Sequence, residues 1–272
     1  MTASAHSGRY THGHEASTMA AHGSRTAASS AGYLLPHLTP GMAVLDVGCG
    51  PGSITLDLAR LVSPGRVVGL EAAEAPLVAA RALAAERADT TTEFVLGDVY
   101  DLPYPDGFFD VVHAHQVLQH LTDPVAALRE MARVTRPGGL LAARDGDYAA
   151  FAWYPELPGL ERWRTTYRAV ARANGAEPDA GRHMRAWTRA AGLDDVTITT
   201  TAWQYADAAS CTRWGGSWAN RVLGDVFLGQ AAEQGVPRDE VEAMADAWRA
   251  WAADPDAWFL VPHVELLARV TG

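Results

Sequence analysis

The chain contains no lysine, and all 22 of its basic residues are arginine. Without lysine there is no side chain for a Schiff base and none for the lysine of a phosphate-binding loop, so both kinds of site are excluded. Cysteine is scarce as well, since Cys49 and Cys211 are the only two. Two cysteines favour neither a disulfide framework nor a zinc site, and we interpret Cys49 as a small packing residue.

Long apolar runs are also missing. No stretch approaches the roughly 18 uninterrupted apolar residues of a membrane-spanning helix, and the first residues are rich in histidine and serine where a signal peptide would be apolar. We therefore expect a cytoplasmic protein without membrane contacts. Acidic residues outnumber basic ones by 32 to 22, for a net charge of −10. This argues against a nucleic-acid partner, because phosphate backbones require a basic surface.

The most informative stretch is Val44-Leu45-Asp46-Val47-Gly48-Cys49-Gly50-Pro51-Gly52-Ser53. An apolar run ends in three glycines at alternating positions, and an apolar pattern with helical spacing resumes at Ile54. This pattern predicts a strand, a tight turn and a helix. Glycine permits positive φ and close approach of a ligand to the backbone, while the helix start offers free N–H groups. A nucleotide-like ligand is the expected occupant.

A second predicted strand, residues 66–70, ends in Glu71, about 20 residues after the glycines. In a βαβ unit, a carboxylate at that place accepts hydrogen bonds from both hydroxyls of a ribose. The residues so far are compatible with an NAD-dependent oxidoreductase and with a methyltransferase. The Gly-x-Gly-x-x-Gly spacing of the dinucleotide-binding enzymes is absent, which weighs against the first.

Three further signals follow in order: a strand ending in Gly97-Asp98, a strand over 108–115 followed by 117–121, and a turn and strand over 136–141. Together with the Asp-x-Gly-x-Gly-x-Gly pattern, they resemble the class I S-adenosylmethionine-dependent methyltransferases, in the branch similar to the ubiquinone and menaquinone methyltransferases, over about residues 40–145. The resemblance implies S-adenosylmethionine as cofactor and S-adenosylhomocysteine as product. It also implies the cofactor-binding residues Asp46, Gly48, Gly50, Gly52, Glu71, Asp98, Val99, His115 and Gln116.

The first 40 residues carry a second pattern, Tyr-Thr-His-Gly-His at 10–14 and His-x-x-Arg-Thr-Ala-x-x-Ser-Ala-x-Tyr-Leu at 22–34. It resembles a group of actinobacterial and fungal methyltransferases that includes thiol methyltransferases of dithiol natural products such as gliotoxin. The resemblance implies a lid over the cofactor, with Tyr10, His12 and His14 near the sulfonium. A solvated tail is the alternative. A metal site at the two histidines is not expected, because no carboxylate or thiolate completes the ligand set.

Polar residues also collect where the fourth and fifth predicted strands end. Ligands of open α/β sheets bind at the carboxyl ends of strands, so His115 is expected to face the site, whereas His113 lies deeper and is interpreted as a core residue. Arg144, Asp147 and Tyr148 follow the fifth strand, where a loop held by Asp–backbone hydrogen bonds is the alternative. The catalytic candidates are Tyr10, His12, His14, His115 and Asp147.

All nine tryptophans lie beyond residue 150. Most should pack helices together, yet an aromatic-rich cap also suits a planar or apolar substrate, and aromatic faces stabilise a sulfonium as they do other cations. The candidates for substrate contact are Arg144, Tyr148, Trp153, Arg213, Trp214 and Trp218.

The predicted fold is α/β: a Rossmann-like, mostly parallel seven-stranded sheet with helices on both faces. Residues 1–40 would form a helical lid, 41–146 the cofactor-binding core, and 147–272 a helical cap with the last strands of the same domain. We expect cap helices at about 156–174, 179–191, 208–233 and 237–253. A sixth strand is expected at 196–201 and a last one within 258–267.

In methyl transfer by direct displacement the protein contributes little covalent chemistry, because aligning the reactants can by itself lower the barrier by roughly 7–11 kcal/mol. A thiol, with a pKa near 8.5, needs less help from a histidine than a phenol near 10, and a carbon nucleophile needs enolate formation. Several histidines at a site would serve any of the three, and the resemblance to the dithiol methyltransferases favours a thiol of a dithiol natural product as acceptor. Three alternatives remain open: carbon or oxygen methylation of a quinone, phenol or polyketide, a nucleotide-binding oxidoreductase, and a methyltransferase fold without turnover. The oligomeric state, monomer or homodimer, is open as well.

Overall fold

The computed structural model describes residues 25–271, and one sheet of eight strands forms its centre. The strands lie in the order β3-β2-β1-β4-β5-β8-β6, with β7 paired to β8. Their bounds are β1 (Val44–Val47), β2 (Val67–Glu71), β3 (Glu93–Leu96), β4 (Phe109–His115), β5 (Thr135–Gly146), β6 (Ala152–Tyr154), β7 (Val196–Tyr205) and β8 (Trp258–Arg269).

The first five strands are parallel, and β8 runs antiparallel to β5, β6 and β7. The predicted Rossmann-like, mostly parallel sheet is thus confirmed. The expected number of strands was one too low, because β6 has only three residues and is too short for an alternating pattern to identify it. Since β1, β2 and β4 are adjacent and parallel, their carboxyl ends open on one edge of the sheet.

Nine α-helices flank the sheet or form the cap in the described part of the chain. They are α1 (Ala27–Ser30), α2 (Ser53–Val62), α3 (Glu74–Glu86), α4 (Pro124–Val134), α5 (Pro158–Ala173), α6 (Met184–Ala191), α7 (Ala208–Val222), α8 (Asp225–Glu233) and α9 (Arg238–Ala253). The single helix expected over 208–233 is divided into two helices, because the backbone is extended at Gly224, immediately before α8 begins. Strand β7 continues to Tyr205 because its last residues keep pairing with β8.

Three hydrophobic clusters hold these layers together. Two of them lie around the sheet and its flanking helices, and the third is the aromatic core of the cap. At the centre of the cap, the ring of Trp163 contacts those of Trp218 and Trp248 edge to face, with centroids 4.5 and 4.7 Å apart. Most of the tryptophans therefore pack helices, as expected. No helix among residues 25–271 is long and apolar enough to cross a membrane.

The described part of the N-terminal segment packs on α2 and on the end of β7. The backbone N–H of Ala27 donates to Asp57 Oδ2 at 2.9 Å, and the indole N–H of Trp203 donates to the carbonyl of Ser29 at 2.9 Å. Tyr10, His12 and His14 lie outside the described residues, so the lid that the resemblance implies stays a prediction. The domain boundaries at residues 40 and 146 also stay predictions.

Candidate active site

The glycine turn lies between the end of β1 and the start of α2, as its sequence predicts. Gly48 and Gly50 have φ values of 64° and 54°, which side chains disfavour. A Cβ on Gly48 would also lie 2.5 Å from Val117 Cγ2, whereas one on Gly50 would meet no atom within 4 Å. The turn therefore keeps its backbone close to Val117, in the segment that follows β4, and leaves open space beside Gly50.

The carboxylate of Glu71 is fixed at the end of β2 by backbone groups. Its Oε2 accepts from the Gly50 N–H at 3.1 Å, and its Oε1 accepts from the Ala72 and Ala73 N–H groups at 2.8 and 3.3 Å. Because a carboxylate has about four acceptor positions, Glu71 keeps one position, on Oε2, for a hydroxyl group. A ribose hydroxyl would fit that position.

A cavity of about 680 Å³ opens beside this turn. Its volume is within the range of small-molecule sites. The chemistry of its wall fits S-adenosylmethionine: the glycines offer backbone N–H groups, Glu71 offers a carboxylate to the ribose, and Val99 and Leu96 form an apolar wall beside which the flat adenine ring would lie. Eight of the nine predicted cofactor residues line it: Asp46, Gly48, Gly50, Glu71, Asp98, Val99, His115 and Gln116. Sequence reasoning did not select several other lining residues, including Arg25, Tyr100 and Val117.

Gly52, the ninth, is absent from the wall of this cavity. It is the residue before α2, with a φ of 78°. A Cβ there would lie 2.9 Å from the side chains of both Ala80 and Phe94. The expectation of a cofactor contact was wrong for Gly52, which instead lets α2 pack closely on α3 and β3.

Asp46 borders the cavity but uses both carboxylate oxygens within the protein. Oδ1 lies 2.7 Å from His113 Nδ1, and Oδ2 accepts from the Thr55 hydroxyl at 2.5 Å. These bonds tie β1 to β4 and to α2, directly beneath the glycine turn. His113 is fully buried, as expected of a core histidine. Asp46 thus positions the turn and offers little to a ligand.

His115 ends β4 at the wall of the cavity and is 6% exposed. Neither of its ring nitrogens has a hydrogen-bond partner within residues 25–271. Burial, together with the positive charges of Arg25 and Arg144, lowers the pKa of His115 well below its usual 6.5. The imidazole is therefore neutral at pH 7, and one of its nitrogens can accept a proton or a hydrogen bond.

A second histidine, His263 on β8, lies beside His115, and sequence reasoning missed it. The two ring centroids are 6.2 Å apart, and Trp203 lies against both rings, at 5.6 and 4.4 Å. His263 Nε2 is 2.8 Å from the Gln116 side-chain nitrogen, which makes Nε2 the acceptor and the amide the donor. Burial lowers the pKa of His263 well below 6.5 as well, so this end of the cavity holds uncharged imidazoles.

Arg144, predicted to touch substrate, is only 1% exposed. Cross-strand pairing places it between His115 and Glu265, and its Nε lies 3.4 Å from Glu265 Oε1. Its guanidinium also lies 4.9 Å from the Trp203 ring centroid. Arg144 is therefore one half of a buried ion pair that supports Trp203, and the prediction of substrate contact was wrong in this structure.

Replacing Glu265 with glutamine is expected to destabilise the fold by about 3–5 kcal/mol, because it leaves the buried Arg144 charge without its carboxylate. The free energy of unfolding, measured by urea denaturation, checks this. The double variant Glu265→Gln, Arg144→Met removes both charges and should recover most of the loss. A single variant as stable as the wild type would contradict the interpretation of the pair.

Asp147 was predicted to be catalytic, and the structure places it in a structural pair. Its carboxylate binds the Arg182 guanidinium at 2.7 and 2.8 Å and accepts from the Ala150 N–H at 3.2 Å. These bonds hold the short 3-10 turn Ala180–His183 to the end of β5, and Asp147 is absent from the lining of the cofactor cavity. With both oxygens engaged, it has no position left for a reacting proton.

The other predicted substrate residues belong to the cap. Tyr148 and Trp218 are buried in its aromatic core, where neither can reach a ligand without repacking. Trp153 stacks on Phe259 with centroids 5.6 Å apart, and Arg213 is exposed on α7. Trp214 is half-buried, and its ring stacks on Tyr205 at 4.3 Å. Only Trp214 combines partial exposure with a position near the carboxyl end of β7.

Comparison with known proteins agrees with this geometry. Residues 45–143 match the family model described as "Methyltransferase domain". The chain is 32% identical over 277 residues to an uncharacterized methyltransferase of Schizosaccharomyces pombe, covering 95% of each chain. It is 30% identical over 230 residues to 27-O-demethylrifamycin SV methyltransferase of Amycolatopsis mediterranei, covering 84% of this chain and 78% of the relative.

The fold is also that of solved methyltransferases. The crystal structure of geranyl diphosphate C-methyltransferase from Streptomyces coelicolor, in complex with S-adenosylhomocysteine among its ligands, aligns with a TM-score of 0.52 and 17% identity. The alignment covers 88% of this chain and 78% of that one. The glycine turn, the carboxylate at the end of β2 and the similarity over 95% of the chain lead to one conclusion. This chain belongs to the methyltransferase family and is an S-adenosylmethionine-dependent methyltransferase.

Proposed function

We propose that the enzyme methylates a thiol of a small molecule, of the kind found in dithiol natural products. The observation that carries the proposal is the buried, uncharged His115 at the wall of the cofactor cavity, with two ring nitrogens free of partners among the described residues. An imidazole with a lowered pKa is a weak base. It can take a proton at low cost only from an acidic nucleophile, and a thiol is the most acidic of the candidate acceptors.

The size of this preference follows from the ordinary acidities. A thiol near 8.5 and a phenol near 10 differ by about 1.5 pKa units, and each unit corresponds to about 1.4 kcal/mol. Deprotonation of the phenol by the same base therefore costs about 2 kcal/mol more, or about thirtyfold in population. The positive charges of Arg25 and Arg144, which act on His115, also favour an anionic nucleophile beside the ring.

Binding and proton transfer fall to different residues in this mechanism. When bound, S-adenosylmethionine supplies an activated methyl group, and its transfer leaves S-adenosylhomocysteine. Glu71 holds the ribose, Asp98 and Val99 flank the adenine, and the backbone at Gly48 and Gly50 faces the remainder. His115 accepts the thiol proton as the sulfur becomes a nucleophile.

The proposal extends to the N-terminal segment and to the setting in which the enzyme acts. The N-terminal Tyr10, His12 and His14 would close over the acceptor as a lid, as the resemblance to the dithiol methyltransferases implies. The enzyme would act in the cytoplasm, in secondary metabolism, as a monomer or a homodimer. Its partner is a small molecule, and the net charge of −10 disfavours nucleic acid.

Oxygen methylation is the second candidate. It is favoured by the similarity to the rifamycin methyltransferase, which by its name acts on a 27-O-demethyl compound and aligns with 84% of this chain. A hydroxyl acceptor would require a stronger base, because phenols and alcohols are less acidic than thiols.

Transfer of a labelled methyl group to matched probes decides between the two. We expect product with 2-naphthalenethiol and with dithiothreitol, and at least tenfold slower transfer to 2-naphthol, which has the same ring system. Incubation without enzyme controls for spontaneous methylation of thiols. Preferential methylation of 2-naphthol would reject the thiol proposal and support the second candidate.

A further inference from the structure

Three polar side chains form a stripe along helix α7 in the cap. Trp214, Ser217 and Arg221 are spaced by three and four residues, so they lie on one face of the helix. Each has a buried polar atom, Trp214 Nε1, Ser217 Oγ and Arg221 Nε, for which residues 25–271 offer no hydrogen-bond partner. Buried polar groups are normally satisfied, and three such atoms along one face are unusual.

Arg221 is the most informative of the three. It is 8% exposed, and its guanidinium lies 5.0 Å from the centroid of the Trp218 ring. Across the described residues no carboxylate lies within ion-pair distance of it, although 16 such pairs involve other side chains. A buried cation without an anion is costly, and contact with an aromatic face compensates for only part of that cost.

The stripe lies next to the cofactor cavity, with Tyr205 and Arg25 between them. Trp214 stacks on Tyr205. Tyr205 and Trp203 are two residues apart on β7, so their rings lie on the same face of that strand. Arg25 in turn lines the cofactor cavity and lies 5.3 Å from the ring centroid of Trp203. An acceptor that reaches His115 from the cap would therefore pass along the stripe.

The chemistry of the stripe selects one kind of ligand. An indole N–H and a guanidinium N–H only donate hydrogen bonds, and a serine hydroxyl can donate as well. A set of donors with one full positive charge matches a group that only accepts and carries a negative charge. Arginine binds carboxylates in this way, with two N–H groups in a planar fork.

We propose that Trp214, Ser217 and Arg221 form a subsite that binds a carboxylate of the acceptor molecule. The subsite deepens the proposed methyl transfer and rests on it: the acceptor would be an aromatic or apolar thiol that also carries a carboxylate. The aromatic residues around the stripe would contact its apolar part, while Arg221 would fix its anionic end away from the reacting sulfur.

Binding without turnover tests the subsite separately from the reaction. Isothermal titration of the enzyme saturated with S-adenosylhomocysteine would compare 2-naphthoate with its neutral methyl ester. We expect naphthoate to bind at least tenfold more tightly to the wild type, Arg221→Gln to abolish that preference, and Arg221→Lys to keep part of it. Ser217→Ala, which removes only a hydroxyl, should weaken naphthoate binding several-fold. Arg249→Gln, on the exposed face of α9, is the matched control and should change nothing.

Two outcomes would overturn the subsite. Equal affinity for naphthoate and its ester in the wild type is one, and unchanged naphthoate affinity in a folded Arg221→Gln variant is the other. The only acidic residue in the first 24 positions is Glu15, so Glu15→Gln belongs in the set. If naphthoate binds only when Glu15 is replaced, Arg221 has its anion within the chain and the subsite is rejected. Failure of thiol methylation with naphthoate binding intact would instead reject the proposed acceptor class alone.

Discussion

Replacing His115 with phenylalanine is expected to lower kcat for thiol methylation about 10²- to 10⁴-fold at pH 7, the range that general bases contribute. Phenylalanine keeps an aromatic ring of similar shape against Trp203 and His263, so the cavity should retain its form while the proton acceptor is lost. Because phenylalanine leaves a ring on the wall of the cavity where His115 ends β4, the affinity for S-adenosylhomocysteine should change less than threefold. Initial rates with labelled cofactor and dithiothreitol check the first expectation, and calorimetry checks the second.

His183→Phe is the matched control for that variant. His183 stacks on Trp187, with centroids 5.5 Å apart, and it is absent from the cofactor cavity, so its loss should leave turnover unchanged. A His115→Phe enzyme with normal kcat would show that no base at this position is needed. The proposed preference for thiols would then lose its main support.

Replacing Glu71 with alanine is expected to raise the Kd for S-adenosylhomocysteine about 10- to 150-fold. A hydrogen bond to a charged group contributes roughly 1.5–3 kcal/mol, the ribose would lose one such bond, and about 1.4 kcal/mol corresponds to a factor of ten in Kd. The same substitution releases the Gly50 and Ala72 N–H groups that the carboxylate accepts from, so the turn itself also loosens. Isothermal titration calorimetry gives the Kd.

Glu74→Ala provides the comparison for the Glu71 variant. Glu74 lies three residues further on, in an exposed pair with Arg81, and its removal should leave cofactor affinity within twofold. A Glu71→Ala variant that binds S-adenosylhomocysteine as tightly as the wild type would mean that the ribose is held elsewhere.

Local sequence was sufficient to predict that four residues of the cavity lie together at one edge of the sheet. Gly48, Gly50 and Asp98 lie just after strands with a clear apolar pattern, Glu71 ends another, and parallel pairing of those strands brings their ends together at the cavity. Gly52 failed because a glycine pattern does not distinguish a position that faces ligand from one that faces a neighbouring helix. That distinction depends on Ala80 and Phe94, which lie far along the chain.

The acceptor half could not be predicted in the same way, since long-range pairing assembles it. His263 and Glu265 come to lie beside His115 and Arg144 because β8 returns antiparallel to β5, and Trp203 packs on both histidines because β7 is longer than its β-branched run. Arg144 follows the correct strand, yet its partner on β8 turns it into a buried ion pair. The spacing of residues along the sequence does not indicate which residues on different strands become partners.

The pH dependence of kcat/KM for a cysteine-type thiol, compared between the wild type and His115→Phe, tests the central claim most directly. Because the pKa of His115 is well below 6.5, its basic form is fully present above pH 6.5 and is lost only as the pH falls below that lowered value. Wild-type kcat/KM should therefore be nearly flat from pH 6.5 to about 8.5, the pKa of the thiol. The variant depends on thiolate formed in solution, so its rate should rise about tenfold per pH unit below the thiol pKa, and its deficit relative to the wild type should shrink roughly thirtyfold between pH 7 and about 8.5. Parallel profiles for the two enzymes would contradict proton transfer to His115.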